Sequence, residues 1–251
     1  MDGKRKQVVV ITGGNSGIGR GIAQAFARQH AQLIIIGRNQ ASLAATAQAL
    51  GNKAIGYQAD VGKRDEVAAV VEKIVKQFSR IDVLVNAAGF TQTVTTATPL
   101  AEAERLWDAV LDANLKGSFL VSVAVAPFLV RPGGRIINLS SIGSFTGGSR
   151  AGALAYASSK AGLNGLTYAL ARELSAQGIT VNAVAPGFVQ GTGFTGAWPA
   201  QVVQDIVSHI PVGRAGETDD IAEAVLFLAS AHASFITGEI LNVNGGWLFG
   251  R

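Results

Sequence analysis

Cysteine is absent from the 251 residues, which excludes a disulfide framework, a thiolate metal site and a cysteine nucleophile together. Histidine is scarce: His30, His209 and His232 stand at no metal-ligand spacing, so no metal is expected. Proline is limited to six positions while 48% of the residues are apolar, so the chain can bury one sizeable core and is expected to form one domain. A long apolar h-region is missing as well, since the charged residues 1–7 run straight into the apolar 8–11; a cytoplasmic protein is expected. No apolar run reaches the roughly 18 to 20 residues of a membrane span, because Arg, Asn, Gly or Ser breaks each one, and no membrane partner is expected. The net charge of +4 is carried with little clustering. Only Lys4-Arg5-Lys6 forms a basic run, at a terminus, so nucleic acid is not an expected partner.

What is present is alternation. Short β-rich runs at 8–12, 32–37, 54–58, 82–86, 134–139, 180–184 and 239–243 are separated by segments of helical period at 16–29, 40–50, 64–78, 101–129, 155–176 and 219–229. Most of the strands are apolar throughout, as burial on both faces requires, and the pattern is that of repeated βαβ units in a parallel seven-stranded sheet with helices on both faces. Residues 188–199 break the rhythm. They are rich in Gly, Thr and aromatic residues without a clear period, and are expected to form a lid.

The first strand ends in Thr12-Gly13-Gly14-Asn15-Ser16-Gly17-Ile18-Gly19 and passes directly into an amphipathic helix. Glycines at that turn let a diphosphate approach the backbone, and the helix N-terminus offers free N–H groups and partial positive charge. The spacing is G-x-x-x-G-x-G. At the end of the second strand stands Arg38, where a carboxylate would accept from an adenosine 2′-hydroxyl; an arginine there favours a 2′-phosphate, hence NADP(H) over NAD(H). Asp60-Val61 after the third strand suits an adenine, and the small residues Ala87 to Gly89 after Asn86 let backbone approach a cofactor at the carboxyl edge of the sheet.

Tyr156-Ala157-Ser158-Ser159-Lys160 follows Asn138-Leu139-Ser140-Ser141. On a helix Tyr156 and Lys160 share a face one turn apart, so the ammonium is expected to lower the phenol toward a working pKa and make Tyr156 a usable acid and base. A Ser141 hydroxyl can bond a substrate oxygen as it gains negative charge.

Thr12 to Gly19, Asp60-Val61, Asn86 to Gly89, Asn114, Ser141, Tyr156 with Lys160, Pro186-Gly187 and Ile236-Thr237-Gly238 stand in one order. Through them the chain resembles the short-chain dehydrogenases/reductases over nearly its whole length, and within them the 3-oxoacyl acyl-carrier-protein reductase-like branch. The resemblance implies a single Rossmann-type domain over 1–251, with a cofactor half to about 135 and a catalytic and substrate half from about 136. It implies Ser141 as substrate-orienting hydroxyl, Tyr156 as general acid in reduction, Lys160 on the nicotinamide ribose and Asn114 holding a water in the proton relay. Asn86 and Gly89 would border the cofactor, Ile18 would floor the nicotinamide, and Val189, after Pro186 and Gly187, would offer backbone to the carboxamide. Relatives are usually homotetramers, which would also cover the apolar tail Gly246-Trp247-Leu248-Phe249.

Three features depart from the family pattern. The interval from Ser141 to Tyr156 is about two residues longer than in many relatives, with the extra length in 147–154. Thr192, six residues after Pro186, takes the place of a carboxamide-contacting Thr often found five after it. Ser16 stands where NADP-preferring relatives often carry a basic residue. Phe90, Phe145, Phe188, Phe194 and Trp198 can border the pocket, which favours an apolar or aromatic ketone as substrate. A 3-oxoacyl acyl-carrier-protein substrate is the alternative, with Arg131, Arg135 and Arg172 to meet an acidic carrier, although Gln177 precedes Gly178 where those relatives often have a basic residue. A sugar or polyol dehydrogenase, or a catalytically silent cofactor-binding sensor or scaffold, completes the set.

Overall fold

A computed structural model describes residues 6–51, 54–196 and 198–250. Lys4 and Arg5 of the basic run, and Ala197 within the expected lid, lie outside the described residues.

The seven expected strands form one parallel sheet in the order β3-β2-β1-β4-β5-β6-β7. They are β1 (Val8–Thr12), β2 (Gln32–Gly37), β3 (Ala54–Gln58), β4 (Val83–Asn86), β5 (Arg135–Leu139), β6 (Thr180–Pro186) and β7 (Ile240–Val243). Side chains alternate across a strand, and β1 shows the result: Val9 and Ile11 enter one core, Val8 and Val10 the other. On the first face Leu33 and Ile35 meet Ile22 and Phe26 of α1 (Gly17–Arg28), Leu43 of α2 (Gln40–Ala49) and, from the C-terminal part, Ile221 and Val225 of an Ala- and Leu-containing helix. On the second, Ile34 and Ile36 meet Val67, Val70 and Ile74 of α3 (Arg64–Phe78), and Val121 and Val125 from further along the chain. A fully buried Val, Leu or Ile contributes roughly 1.5–3 kcal/mol, so these two layers carry most of the fold's stability.

The 101–129 segment is helical but not uniform. α4 (Leu100–Leu111) passes through a π-helical turn at Asp112–Lys116 into α5 (Gly117–Val125), and a short 3₁₀ turn ends it at Ala126–Phe128. Taken whole, residues 100–128 are long and apolar enough to cross a membrane by length and composition, a stretch not expected from the sequence. It is buried in part: α5 packs on α3, α4 packs on α7 (Leu154–Leu174) and Asn114 is fully buried, while Phe119 and Val123 are exposed. Two helices were not anticipated, α6 (Gly143–Thr146) and α8 (Ala200–Val207). α9 (Thr218–Ala229) is the Ile221 and Val225 helix of the first face, and it starts in a capping box between Glu217 and Asp220.

The order reverses between β1 and its two neighbours, β2 and β4. Ligands of open parallel sheets sit outside the strands' carboxyl ends at such a point.

Candidate active site

Thr12 closes β1 and fixes the first wall of the crevice. Its hydroxyl accepts from the backbone N–H groups of Ala87 and Ala88, both at 3.1 Å. Gly13 then lies on Ala88 backbone to backbone, at φ +66°; a Cβ there would stand 2.8 Å from the Ala88 Cα. A Cβ on Gly19 would stand 2.3 Å from the Gly13 carbonyl oxygen. Both glycines are therefore dictated by contact. Ser16 opens α1 without a side-chain cap, and its first turn has no acidic residue, so the helix presents uncapped amides and partial positive charge to an anion. Asn15 faces elsewhere: its side chain lies on Gly37 and donates to Ser42 Oγ at 3.0 Å, tying the glycine turn to α2.

Arg38 reaches from the end of β2 across the crevice to stack its guanidinium over Phe90, 5.6 Å from the ring centroid. No carboxylate pairs with it among the described residues. Asp60 is committed locally, its Oδ1 accepting from Gly62 N–H and its own N–H donating to Glu66. Val61 is buried against Gly117. An adenine-phosphate end with a cationic Arg38 and a diphosphate at the uncapped, glycine-built turn fit these residues.

The floor of the crevice is a polar belt through the core. Ser122, Asn86, Asn138 and Thr167 run in sequence across α5, β4, β5 and α7: Asn86 Nδ2 donates to Ser122 Oγ and Asn138 Oδ1 at 2.9 Å each, and Asn138 Nδ2 to Thr167 Oγ1 at 2.9 Å. Asn86 Oδ1 is buried with no hydrogen-bond partner among the described residues. Ser122 and Thr167 were not singled out from the sequence; nothing local distinguishes them from ordinary helical hydroxyls.

Asn114 sits in the π turn and binds the loop after β4 from both sides. Its Oδ1 accepts from Phe90 N–H at 2.9 Å, and its Nδ2 donates to the Phe90 carbonyl and to Ser159 Oγ, both at 3.0 Å. Ser159 in turn donates to the Tyr156 carbonyl at 2.7 Å. The side chain of Asn114 thus bonds backbone and Ser159, a residue not singled out in the Tyr-x-x-x-Lys reading. Gly89 makes this approach possible, since a Cβ there would meet Asn114 Oδ1 at 2.9 Å and Lys160 Nζ at 3.6 Å.

α7 buries a stripe that is polar in its first half (Ser159, Lys160, Asn164) and apolar in its second (Leu170, Leu174). The polar half carries Tyr156 to the side of Ser141 at the end of β5: a Cβ on Gly143 would stand 3.3 Å from Ser141 Oγ and 3.6 Å from Tyr156 Cε1. Ser141 Oγ also accepts from Gly143 N–H at 3.0 Å, so α6 holds the serine in place. Burial pushes the Tyr156 phenol up, and the Ser141 hydroxyl draws it partly back. The expected depression of this phenol by Lys160 is not what the structure has: Lys160 Nζ donates to the Leu139 carbonyl at 2.6 Å and stands 5.8 Å from the Tyr156 ring centroid. Burial, with no carboxylate to offset it, pulls the Lys160 ammonium down to about 8.

Pro186 ends β6, and Gly187 is pressed on Asn244, where a Cβ would be 2.8 Å from that of Asn244. Val189 pairs with Gly216, and its carbonyl accepts from Thr195 Oγ1 at 2.7 Å. Thr192 is buried and comes within 3.6 Å of where a Gly17 Cβ would be, so the 188–196 segment folds onto the glycine turn. Of the five aromatics expected at the pocket, Phe194 covers Tyr156 at 5.9 Å between centroids. Phe145 packs instead into the core with Ala183, Ala185 and Ile240, Phe90 joins Val94 and Val110, and Phe188 is buried with Ile210 and Ala215. Trp247 of the tail packs beside that last group, while Phe249 is exposed.

A parallel sheet whose carboxyl edge gathers a glycine turn, a serine–tyrosine hydroxyl pair and a buried lysine defines a class, the Rossmann-type oxidoreductases. The family model described as enoyl-(acyl carrier protein) reductase matches residues 13–248. The 3-oxoacyl acyl-carrier-protein reductase FabG of Thermotoga maritima is 40% identical over 250 residues, covering 98% of each chain. FabG of Staphylococcus aureus is 39% identical over 97% of this chain and 98% of its own. The BbsD subunit of a hydroxy(phenyl)methylsuccinyl-CoA dehydrogenase from Thauera aromatica is 40% identical over 97% of each. The chain belongs to the short-chain dehydrogenase/reductase family of oxidoreductases, which use a nicotinamide cofactor.

Proposed function

We propose that the chain is an NADP(H)-dependent reductase of 3-oxoacyl thioesters. The observation that carries the reaction is the placement of Ser141 and Tyr156 side by side about Gly143 at the sheet's carboxyl edge, with buried Lys160 one turn along the same helix. The acyl class is supported by relatives whose names specify an acyl carrier protein or a CoA at about 40% identity. Arg131 and Arg172 are both exposed and would give an acidic carrier two cations to meet. Arg135 does not join them, being buried on the Ser230 and Gly134 carbonyls.

When bound, NADP(H) supplies or accepts the hydride. Gly13, Asn15, Ser16, Gly17, Ile18 and Gly19 would border its diphosphate and nicotinamide, Arg38 its 2′-phosphate, and Asp60 and Val61 its adenine. Asn86, Ala87 and Gly89 would line the ribose side, and Pro186, Gly187, Val189 and Thr192 the carboxamide. Ser141 bonds the substrate oxygen as negative charge grows there. Tyr156 Oη gives that oxygen its proton in reduction and takes it back in oxidation. Lys160 is poised to leave the Leu139 carbonyl for the ribose, and Asn114 holds the π turn on which the relay water would rest.

A free apolar ketone is the second reading, favoured by Phe194 lying over Tyr156. The proposal extends to a cytoplasmic homotetramer, in which a second copy would cover the groove of about 470 Å³ that Leu111, Leu115, Phe119 and Leu166 line with Asp108, Asp112 and Lys116. NADPH absorbance followed with a 3-oxoacyl thioester, an apolar ketone and a polyol is the test. Fastest oxidation is expected with the thioester; a thioester that is not turned over overturns the proposal, and inertness to all three points to a silent scaffold.

A further inference from the structure

The longer Ser141–Tyr156 interval forms a narrow loop pinned at its base. Gly148, at φ +105°, lies against Ala153, where an added Cβ would approach that side chain to 2.6 Å. Val94 N–H donates to the Gly152 carbonyl at 2.9 Å, and Val94 bridges Ala153. Gly152, at φ +100°, leaves no room for a side chain beside Thr93. Ser149, Arg150 and Ala151 are left exposed at the tip.

Arg150 turns from that tip toward the segment covering the site. Its guanidinium stands 4.7 Å from the Trp198 ring centroid, and no carboxylate pairs with it among the described residues. Trp198 packs on Phe188 at 5.6 Å between centroids, and Phe194 of the same segment lies on Tyr156. An exposed cation with no counter-ion among the described residues thereby rests on one aromatic face, six residues before the tyrosine. Aromatic faces weakly satisfy a guanidinium, at roughly 0.5–1 kcal/mol when exposed, whereas an oxyanion takes its fork bidentately and more strongly.

We propose that Arg150 is a specificity-determining residue, its guanidinium leaving the Trp198 face to bind an anionic group, carboxylate or phosphate, on the substrate. This rests on the reductase reading of the Ser141–Tyr156 site. The substrates that test it share one 3-oxoacyl group: a neutral N-acetylcysteamine thioester, the same thioester with a carboxylate ending the acyl chain, and the coenzyme A thioester.

With Arg150→Gln, kcat/KM is expected to fall roughly 10- to 100-fold for at least one anionic substrate, the loss that follows a charged hydrogen bond, and less than twofold for the neutral one. Arg150→Lys should recover part of that loss. A fall confined to the carboxylated chain assigns the group to the acyl end, and one confined to the coenzyme A ester assigns it to the carrier's phosphates. Equal change on all three, or none on the anionic pair, overturns the proposal. If the unaltered enzyme reduces no thioester, the acyl reading fails separately. Arg150 is then judged on an aryl ketone with and without a carboxylate, where absence of a selective loss is equally decisive.

Discussion

Phe194 lies over Tyr156, ring centroids 5.9 Å apart and planes inclined at 58°. A residue of a loop after β6 thus covers one on the first turns of α7, and the tyrosine is shielded by a side chain that belongs to neither its helix nor its strand. Phe194→Ala removes that cover. Ring pairs contribute about 1 kcal/mol beyond their burial, so kcat/KM for an apolar substrate is expected to fall roughly fivefold or more. Steady-state kinetics decides; an unchanged constant means the ring covers nothing the substrate uses.

Tyr156→Phe keeps the ring beside Ser141 and deletes the hydroxyl. A positioned acid or base contributes roughly 10²- to 10⁴-fold, so turnover should drop by that order while NADPH, titrated by its fluorescence, still binds. Turnover near that of the unaltered protein would remove Tyr156 from the mechanism.

Arg38→Gln tests the cofactor choice. The guanidinium has only the Phe90 ring against it, and charged hydrogen bonds contribute roughly 1.5–3 kcal/mol. The ratio of kcat/KM for NADPH to that for NADH is expected to fall about 10- to 100-fold, through loss on the NADPH side. A preference for NADH in the unaltered protein would contradict the assignment outright.

Much of the fold was legible because most of the strands are apolar throughout and alternate with longer segments, of which α1, α3 and α4 have a clear apolar face. The glycines of the first turn were legible for the same reason that contact demands them: no side chain fits at Gly13 or Gly19. The π turn was not, because α5 beyond it is apolar on nearly every side and shows no stripe whose shift would mark the extra residue. α8 was hidden behind a segment read as loop, and Phe145 and Phe188 were placed at the pocket because an aromatic beside a motif looks the same whether it faces core or cleft. The protonation of Tyr156 depended on burial and on where Lys160 Nζ points, neither of which spacing along a helix can fix.

Lys160 gives a pH signature to stability. Burial holds its ammonium at about 8 against an ordinary 10.5, so between those values the unfolded chain binds more protons than the folded one, and stability rises with pH. The penalty for the charged form is complete below pH 8 and is relieved as pH climbs to 10.5. At roughly 1.4 kcal/mol per pH unit, the cofactor-free protein should gain up to about 3 kcal/mol relative to Lys160→Met across that window. Urea unfolding of both proteins at pH 7 and pH 10 measures it, and a difference that stays constant with pH refutes the buried-ammonium account.

The π turn at Asp112–Lys116 holds one residue more than an α-helical turn of that reach would. Deleting a single residue there would let α4 and α5 merge in one regular helix, with every intrahelical bond in its ordinary register, while rotating one part against the other by roughly 100°. Asn114 could then no longer serve Phe90 and Ser159 together. A shortened chain would be the better helix and the poorer enzyme, so selection for persistence and selection for turnover act on this one insertion in opposite directions.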